Sequence, residues 1–249
     1  MKVLIVSDIH GNYYALEAVI KNVSFDVLLC SGDLVVGYPF PRECIDFIRK
    51  NCSYICTGNH DYAVAYNKKS YNKLPLKYRK YANALDRAKE LTVDLLDKES
   101  IGYLRMLLRE RKFLVDGITF YLNHTVPNLS LSYSLDPESP QSEIENHYKG
   151  IHADILITGH THMPYVRKLK NKILINPGSV GEPRDGDPRA GFALLDTRTK
   201  QIELGRVEYD ITETSLRLKK LNFPNYSLFC LQTGRLPDDP DETFEKGAE

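Results

Sequence analysis

In Lys2-Val3-Leu4-Ile5-Val6-Ser7-Asp8-Ile9-His10-Gly11-Asn12, an apolar, β-branched run passes directly into Asp, His and Asn. Such a run reads as a strand buried on both faces, the pattern of a parallel sheet. The residues downstream repeat the theme. Ala15, Leu16, Val19, Ile20 and Val23 fall on one helical face within Asn12 to Val23. Phe25 to Cys30 reads as a second buried strand. Pro41 sits where a helix can begin, followed at helical spacing by Cys44, Ile45, Phe47 and Ile48. Tyr54 to Cys56 reads as a third strand. This β-α-β-α-β alternation predicts a mainly parallel sheet covered by helices.

The rest of the chain changes character. Ala84 to Leu96 and Lys98 to Arg109 carry helical patterns. Lys112 to Val115 and Ile118 to Asn123 flank Asp116-Gly117, a hairpin signal. Thr125 to Pro140 is polar and turn-rich, and Ser139-Pro140 predicts an N-cap with Pro at the first helical position, opening a helix to about Lys149. Asp154 to Thr158 reads as a buried strand, Tyr165 to Leu169 and Lys172 to Ile175 as a hairpin, and Gly191 to Asp196 and Gln201 to Val207 as two more strands. These sequential strands predict a second sheet packed on the first. Ile211 to Leu221 predicts a C-terminal helix. The expected organisation is one domain over residues 1–236, with a helical extension over about 211–236 and an acidic, disordered tail over 237–249.

Lys+Arg and Asp+Glu both number 33, so the formal charge is zero and no global field steers the chain to nucleic acid or an anionic membrane. Hydrophobic residues at 42% and charged residues at 27% are those of a soluble globular protein, long enough to bury a substantial core. No apolar run approaches the ~20 residues of a membrane span, and no leader-type apolar segment precedes the first strand. A cytoplasmic location is the expectation. Cys30, Cys44, Cys52, Cys56 and Cys230 are odd in number, which argues against a disulfide framework. Cys52 and Cys56 lack the spacing of a zinc clip and read as small buried thiols.

Chemistry concentrates at the strand ends. The first strand runs into Asp8-Ile9-His10-Gly11-Asn12, the second into Gly32-Asp33, the third into Gly58-Asn59-His60-Asp61. The hairpin strand ends at Asn123-His124, and the strand from Asp154 at Gly159-His160-Thr161-His162. Ligands bind at the carboxyl edge of such strands. Asp8-x-His10 and His160-x-His162 each present two donors on one side of a short extended loop. Asp33 could bridge two ions with its two oxygens. A mixed Asp, His and Asn set suits Mn, Fe, Zn, Co or Ni better than Ca or Mg. Two divalent ions, less Asp8, Asp33 and a bridging hydroxide, leave about one positive charge, which favours a phosphate ester. His60 can give a proton near neutral pH, with Asp61 placed to orient its ring.

Taken together, Asp8-Ile9-His10, Gly32-Asp33, Gly58-Asn59-His60-Asp61, His124 and Gly159-His160-Thr161-His162 resemble the signature of calcineurin-like metallophosphoesterases. The resemblance spans residues 1 to about 207 and is nearest to small bacterial and archaeal phosphodiesterases, some of whose relatives hydrolyse dinucleoside polyphosphates. Asn176-Pro177-Gly178-Ser179-Val180-Gly181 and Pro183-Arg184-Asp185-Gly186-Asp187 also look like that branch. It implies an α/β fold, a four-layer α/β/β/α sandwich of two mixed sheets with flanking helices. It implies two divalent transition-metal ions (Mn, Fe, Zn or Ni), one held by Asp8, His10, Asp33 and His162, the other by Asp33, Asn59, His124 and His160. A metal-bridged hydroxide would attack the phosphorus of a small phosphate ester or nucleotide. His60 would contact the phosphate or protonate the leaving oxygen, with Asp61 behind it, and Asn12 and Arg184 would lie near substrate.

Departures refine this expectation. Protein Ser/Thr phosphatases of the superfamily have Asp-Arg-Gly after the second motif, where this chain has Leu34-Val35-Val36-Gly37, and Glu where it has Asp61. Both differences point away from protein substrates. Thr125-Val126 replaces the Gly-Ser that close relatives carry after the fourth-motif His, which changes the substrate side of that loop. Two other readings stay open: a scaffold that keeps the fold without catalysis, which the filled ligand positions oppose, and a nuclease, which the zero net charge opposes. Residues 66–81, basic with interleaved tyrosines, read as a solvated helical face or loop; their position after Asp61 also allows a lid over a nucleotide. His147 and His152 fall outside the motifs and are expected to bind no metal.

Overall fold

The computed structural model describes residues 1–67, 76–131 and 133–241. Its first half is β1 (Lys2–Val6), α1 (Tyr13–Asn22), β2 (Val27–Cys30), α2 (Pro41–Asn51), β3 (Tyr54–Ile55), α3 (Asn59–Ala65), a 3-10 helix (Leu76–Tyr81), α4 (Ala82–Asp94) and α5 (Lys98–Met106). The second is β4 (Glu110–Val115), β5 (Ile118–Asn123), α6 (Gln141–His147), β6 (Ile155–Ile157), β7 (Pro164–Leu169), β8 (Lys172–Pro177), β9 (Ala190–Asp196), β10 (Ile202–Val207), α7 (Thr212–Lys220) and α8 (Asn225–Thr233).

The strands form two mixed five-stranded sheets, ordered β10-β9-β1-β2-β3 and β4-β5-β6-β8-β7. Period-2 alternation assigns each side chain to a layer. Val3 and Ile5 point between the sheets, where they join Leu29, Phe120, Leu122, Ile157, Ile175, Ala193 and Leu195. Leu4 and Val6 point the other way, onto Leu16 and Val19 of α1 and Ile45 and Ile48 of α2. In the second sheet Tyr121, Leu156 and Leu174 face outward, onto Ile144 of α6 and Tyr148. The result is the expected α/β/β/α sandwich.

Three strands of each sheet run parallel side by side: β1, β2 and β3 in one, β5, β6 and β8 in the other. Their carboxyl ends collect the motif loops.

Several expectations change. β9 and β10 leave the second-sheet series and return to the first sheet, β9 pairing antiparallel with β1. Ala193 and Leu195 explain the return, because pairing beside β1 puts both into the inter-sheet core. Pro140 caps α6 from outside, at φ −55° and ψ 138°, and the helix closes at His147. The residues after β3 open α3 directly, with Gly58 as its N-cap. Within the tail expected from 237, the described residues are tied to the helices: Tyr81 donates to the Pro237 carbonyl, Lys80 to that of Asp238 and Asn225 to that of Asp241. Residues 242–249 of that tail, and residues 68–75 of the lid reading, lie outside the described residues. Among the described residues no helix is long and apolar enough to cross a membrane.

The layer assignment predicts opposite outcomes for two apolar residues of one sheet. Phe120 is fully buried and Leu114 is 63% exposed. Phe120→Ala should destabilise the fold by about 3–5 kcal/mol, and Leu114→Ser by roughly 0.5 kcal/mol or less. Urea unfolding followed by circular dichroism measures both; equal losses would place Phe120 outside the core.

Candidate functional site

The loops after β1, β2, β3, β5 and β6 bring Asp8 and His10, Asp33, Asn59, His124, and His160 and His162 together. Two compact groups result. The candidate ligand atoms of Asp8, His10 and His162 lie within 4.8 Å of one another, as do those of Asp33, His124 and His160. In the first, His162 Nε2 is 3.2 Å from His10 Nε2 and 3.3 Å from Asp8 Oδ1. In the second, His124 Nε2 is 3.1 Å from Asp33 Oδ2 and 3.2 Å from Asn59 Oδ1, and His160 Nδ1 is 2.7 Å from that same Asn59 oxygen. Asp33 Oδ2 also stands 4.0 Å from His10 Nε2, so this oxygen sits between the groups.

The backbone is bent to make this possible. Asp8, His10, Asp33, His160 and His162 all have φ between 53° and 69°, the left-handed region that costs an L-residue about 1–2 kcal/mol. Main-chain bonds fasten the turns: Asp8 N donates to Gly32 O, His10 N to Asp33 O and Gly181 N to Asp8 O. Gly159 is required where the β6 loop crosses β1, because a Cβ there would lie 2.0 Å from Ser7 Oγ and 2.7 Å from Asp8 Oδ2.

Three histidines are aimed by main-chain carbonyls. His10 Nδ1 donates to Val36 O at 2.6 Å, His124 Nδ1 to Ser31 O at 2.6 Å, and His162 Nδ1 to Glu182 O. A carbonyl only accepts, so each Nδ1 carries a proton, and the ring in its neutral form presents a bare Nε2 lone pair. Val36 is itself held at φ 72°, unusual for a β-branched residue. Its carbonyl is thereby turned to His10.

The carboxylates show what these lone pairs face. Asp8 Oδ2 accepts from Ser7 Oγ and His160 N, and Asp33 Oδ1 accepts from His60 N. Their other oxygens, Asp8 Oδ1 and Asp33 Oδ2, are buried without a hydrogen-bond partner. Buried oxygens facing bare imidazole nitrogens and an amide oxygen repel one another unless cations lie between them. This donor set of carboxylate, imidazole and amide oxygen suits divalent transition metals, and the orphaned oxygens show that the residues fit such ions. The same field acts on protons. Burial opposes charge on His10, yet Asp8, Glu182 and Asp33 raise it to about 9. Burial likewise opposes charge on His124, and Asp33 and Asp8 raise it to about 10. Burial lowers His160 to about 4.

The remaining candidates separate by their contacts. His60 is buried, its ring centroid 5.1 Å from that of His10 in edge-to-face geometry, and burial lowers it to about 3 against the pull of Asp33. The carboxylate of Asp61 accepts three main-chain N–H bonds, from Asp33 and Leu34 at 2.8 Å and from Gly58 at 3.0 Å. These three bonds give it a role beside the expected one of orienting the His60 ring: it shapes the loop that presents Asp33. Asn12 is fully buried; its oxygen caps α1 at Ala15 N, and its Nδ2 donates to Gly181 O and Tyr209 Oη. Arg184 is 19% exposed and donates to Glu182 Oε1 at 2.6 and 3.2 Å. Glu182 was not singled out in the sequence, although it falls between the two quoted stretches, 176–181 and 183–187, two residues before Arg184. His147 packs beside Tyr133, and His152 is exposed.

A family model, the calcineurin-like phosphoesterase superfamily domain, matches residues 1–200. The chain is 30% identical over 245 residues to an uncharacterized protein of Methanocaldococcus jannaschii, covering 90% of this chain and 94% of that one. A solved metallophosphoesterase from Sphaerobacter thermophilus superposes with a TM-score of 0.77 at 27% identity, covering 94% of this chain and 99% of that one. A symmetrical bis(5'-nucleosyl)-tetraphosphatase of Erwinia tasmaniensis is 37% identical over 67 residues, 24% of each chain.

The three amide bonds to Asp61 generate a discriminating prediction. Asp61→Asn removes one accepting oxygen and should cost about 2–3 kcal/mol of stability and weaken Mn binding roughly tenfold or more, because the Asp33 loop loosens. Thermal unfolding and calorimetric titration with Mn read the two effects. A variant with unaltered stability and metal affinity but reduced turnover would leave Asp61 with the His60 ring alone.

Proposed function

Because the chain belongs to the calcineurin-like phosphoesterase superfamily, we propose that it hydrolyses phosphodiester or nucleotide polyphosphate bonds at a two-metal centre. The observation that carries this reading is the pair of orphaned carboxylate oxygens, Asp8 Oδ1 and Asp33 Oδ2, set among bare imidazole nitrogens. Asp8, His10 and His162 would hold one ion, and Asn59, His124 and His160 the other. Asp33 would serve both ions, while its Oδ1 also accepts from the His60 amide. Bound divalent ions would supply an activated water and neutralise charge developing on phosphorus.

The protein's own groups do the rest. The αL turns and carbonyl-anchored imidazoles hold the donors in place before any ion arrives, so little reorganisation is needed. His60 lies beside the first group as a neutral imidazole. With an anionic substrate bound beside it, the ring would take up a proton from solvent and pass that proton to the leaving oxygen, the role that a nucleotide or alkyl leaving group needs most. Arg184, partly exposed beside Glu182, would face the substrate's outer oxygens. The short match to the dinucleoside tetraphosphatase supports a nucleotide polyphosphate among possible substrates. Asp61 and the Leu34-Val35 pair favour small esters over phosphoproteins. The filled ligand positions and buried His60 oppose a scaffold without catalysis.

Assaying mono-, di- and polyphosphate esters with Mn, Ni, Zn and Mg tests the reading. Activity should follow Mn or another transition metal and disappear with a chelator. Asp33→Asn and His124→Ala should each reduce kcat by about a thousandfold or more, well within the range catalysis by such centres spans, while their circular dichroism stays native. Wild-type turnover in either variant sinks the assignment. His60→Asn should lower kcat by about a hundredfold or more on an alkyl ester and far less on a nitrophenyl ester, whose leaving group needs no proton. An equal loss on both would make His60 an electrostatic clamp instead.

A further inference from the structure

Glu182 is a carboxylate only 2% exposed, within a site whose substrate would be an anion. Its place is built on several sides. Its amide donates to Ser179 Oγ at 2.7 Å, and Ser179 Oγ donates to the Asp8 carbonyl at 2.6 Å. Its carbonyl accepts from His162. A Cβ on Gly37 would come within 3.2 Å of its Oε2, so the turn after Asp33 closes over it. Its Oε1 accepts from Nη2 and Nε of Arg184 and lies 3.8 Å from His162 Nδ1.

The loop carrying Arg184 is equally fixed. Asp185 pairs with Arg206, Asp187 with Arg189, and Gly186 N donates to Gly234 O. Arg184 therefore reaches the site as half of an ion pair.

We propose that Glu182 sets the charge selectivity of the site: by cancelling Arg184 it matches the centre to singly charged phosphodiesters over doubly charged monoesters. The inference rests on the two-metal reading above. Two divalent ions with Asp8, Asp33 and an attacking hydroxide leave about one positive charge. An unpaired guanidinium would raise this to about two, the match for a monoester dianion. The Glu182–Arg184 pair keeps a directed, planar guanidinium at the site while withholding its net charge. Glu182 is thus a specificity-determining residue that acts through Arg184.

The test uses the full chain loaded with Mn, above about pH 7, where a monoester or inorganic phosphate is largely a dianion. Calorimetry gives the affinities of inorganic phosphate and dimethyl phosphate, and their ratio is compared in wild type, Glu182→Gln, Arg184→Gln and the double variant. Glu182→Gln should shift the ratio toward inorganic phosphate by roughly tenfold, the effect of one partly screened charge. Arg184→Gln should shift it the other way by a similar factor, and the double variant should return to within about threefold of wild type. The ratio of kcat/KM for nitrophenyl phosphate to that for bis-nitrophenyl phosphate should move in parallel. A Glu182→Gln ratio equal to wild type, with metal content unchanged, overturns the proposal. If that variant fails to fold, an unshifted ratio in Arg184→Gln overturns it equally. A wild-type protein that neither binds phosphate with Mn nor cleaves any ester overturns the two-metal reading and the inference with it. Wild-type activity with an invariant ratio overturns the inference alone.

Discussion

Two carboxylates lie side by side in the interior, each with one oxygen bonded and one that faces imidazole nitrogens without accepting a hydrogen bond. Burying an ion costs several kcal/mol unless something of opposite charge restores what water supplied. Asp8 and Asp33 impose that cost on the whole structure. The rest of the site reads as its consequence. Imidazoles and an amide oxygen surround the orphaned atoms but cannot satisfy them as neutral groups. Either protons or metal cations must enter, and the set of donors is the one that transition metals prefer.

Holding so many acceptors together requires force from the backbone. Continued as regular strands, Asp8 and His10, and His160 and His162, would stand roughly 6–7 Å apart along their strands. Left-handed turns at these positions and at Asp33 fold the donors back onto one point. The strain persists only because the surroundings over-determine it. Asp8 and His10 bond across to the β2 loop, and the Ser179–Glu182 turn bonds back to the Asp8 carbonyl. Both halves of the chain are needed, since one group of donors draws on loops after β1 and β6, the other on loops after β2, β3, β5 and β6. The inter-sheet core of Ile5, Leu29, Phe120, Ile157 and Ile175 fixes that register.

Sequence periodicity made most of this visible. β1, β2 and their helices were legible because parallel strands are uniformly apolar and the covering helices carry a clean 3.6-residue stripe. The strand ends were legible because Asp, His and Asn recur just where apolar runs stop. What stayed hidden depends on partners distant in sequence. The return of β9 to β1 is a pairing choice that neither strand encodes alone. The anchors of His10, His124 and His162 are carbonyls of Val36, Ser31 and Glu182, and a carbonyl carries no residue identity. The main-chain amides that Asp61 accepts were equally hidden, because an amide N–H belongs to every residue but proline.

The buried acids sort themselves by what their oxygens meet. Among the described residues, Asp8, Asp33, Asp61 and Glu182 are the buried carboxylates. Asp61 is satisfied by three amides and Glu182 by a guanidinium, so neither has reason to take a cation. Asp8 and Asp33 each keep one oxygen unbonded. The distinction follows from desolvation: a buried charge that is already paired gains little from an ion, and one that is half paired gains most. It divides the acids into two that would hold metal and two that shape the site around it. It also explains why the second pair lies directly behind the first. A donor turned into so dry a centre keeps its place only if the loop that carries it is tied down by a charge of its own.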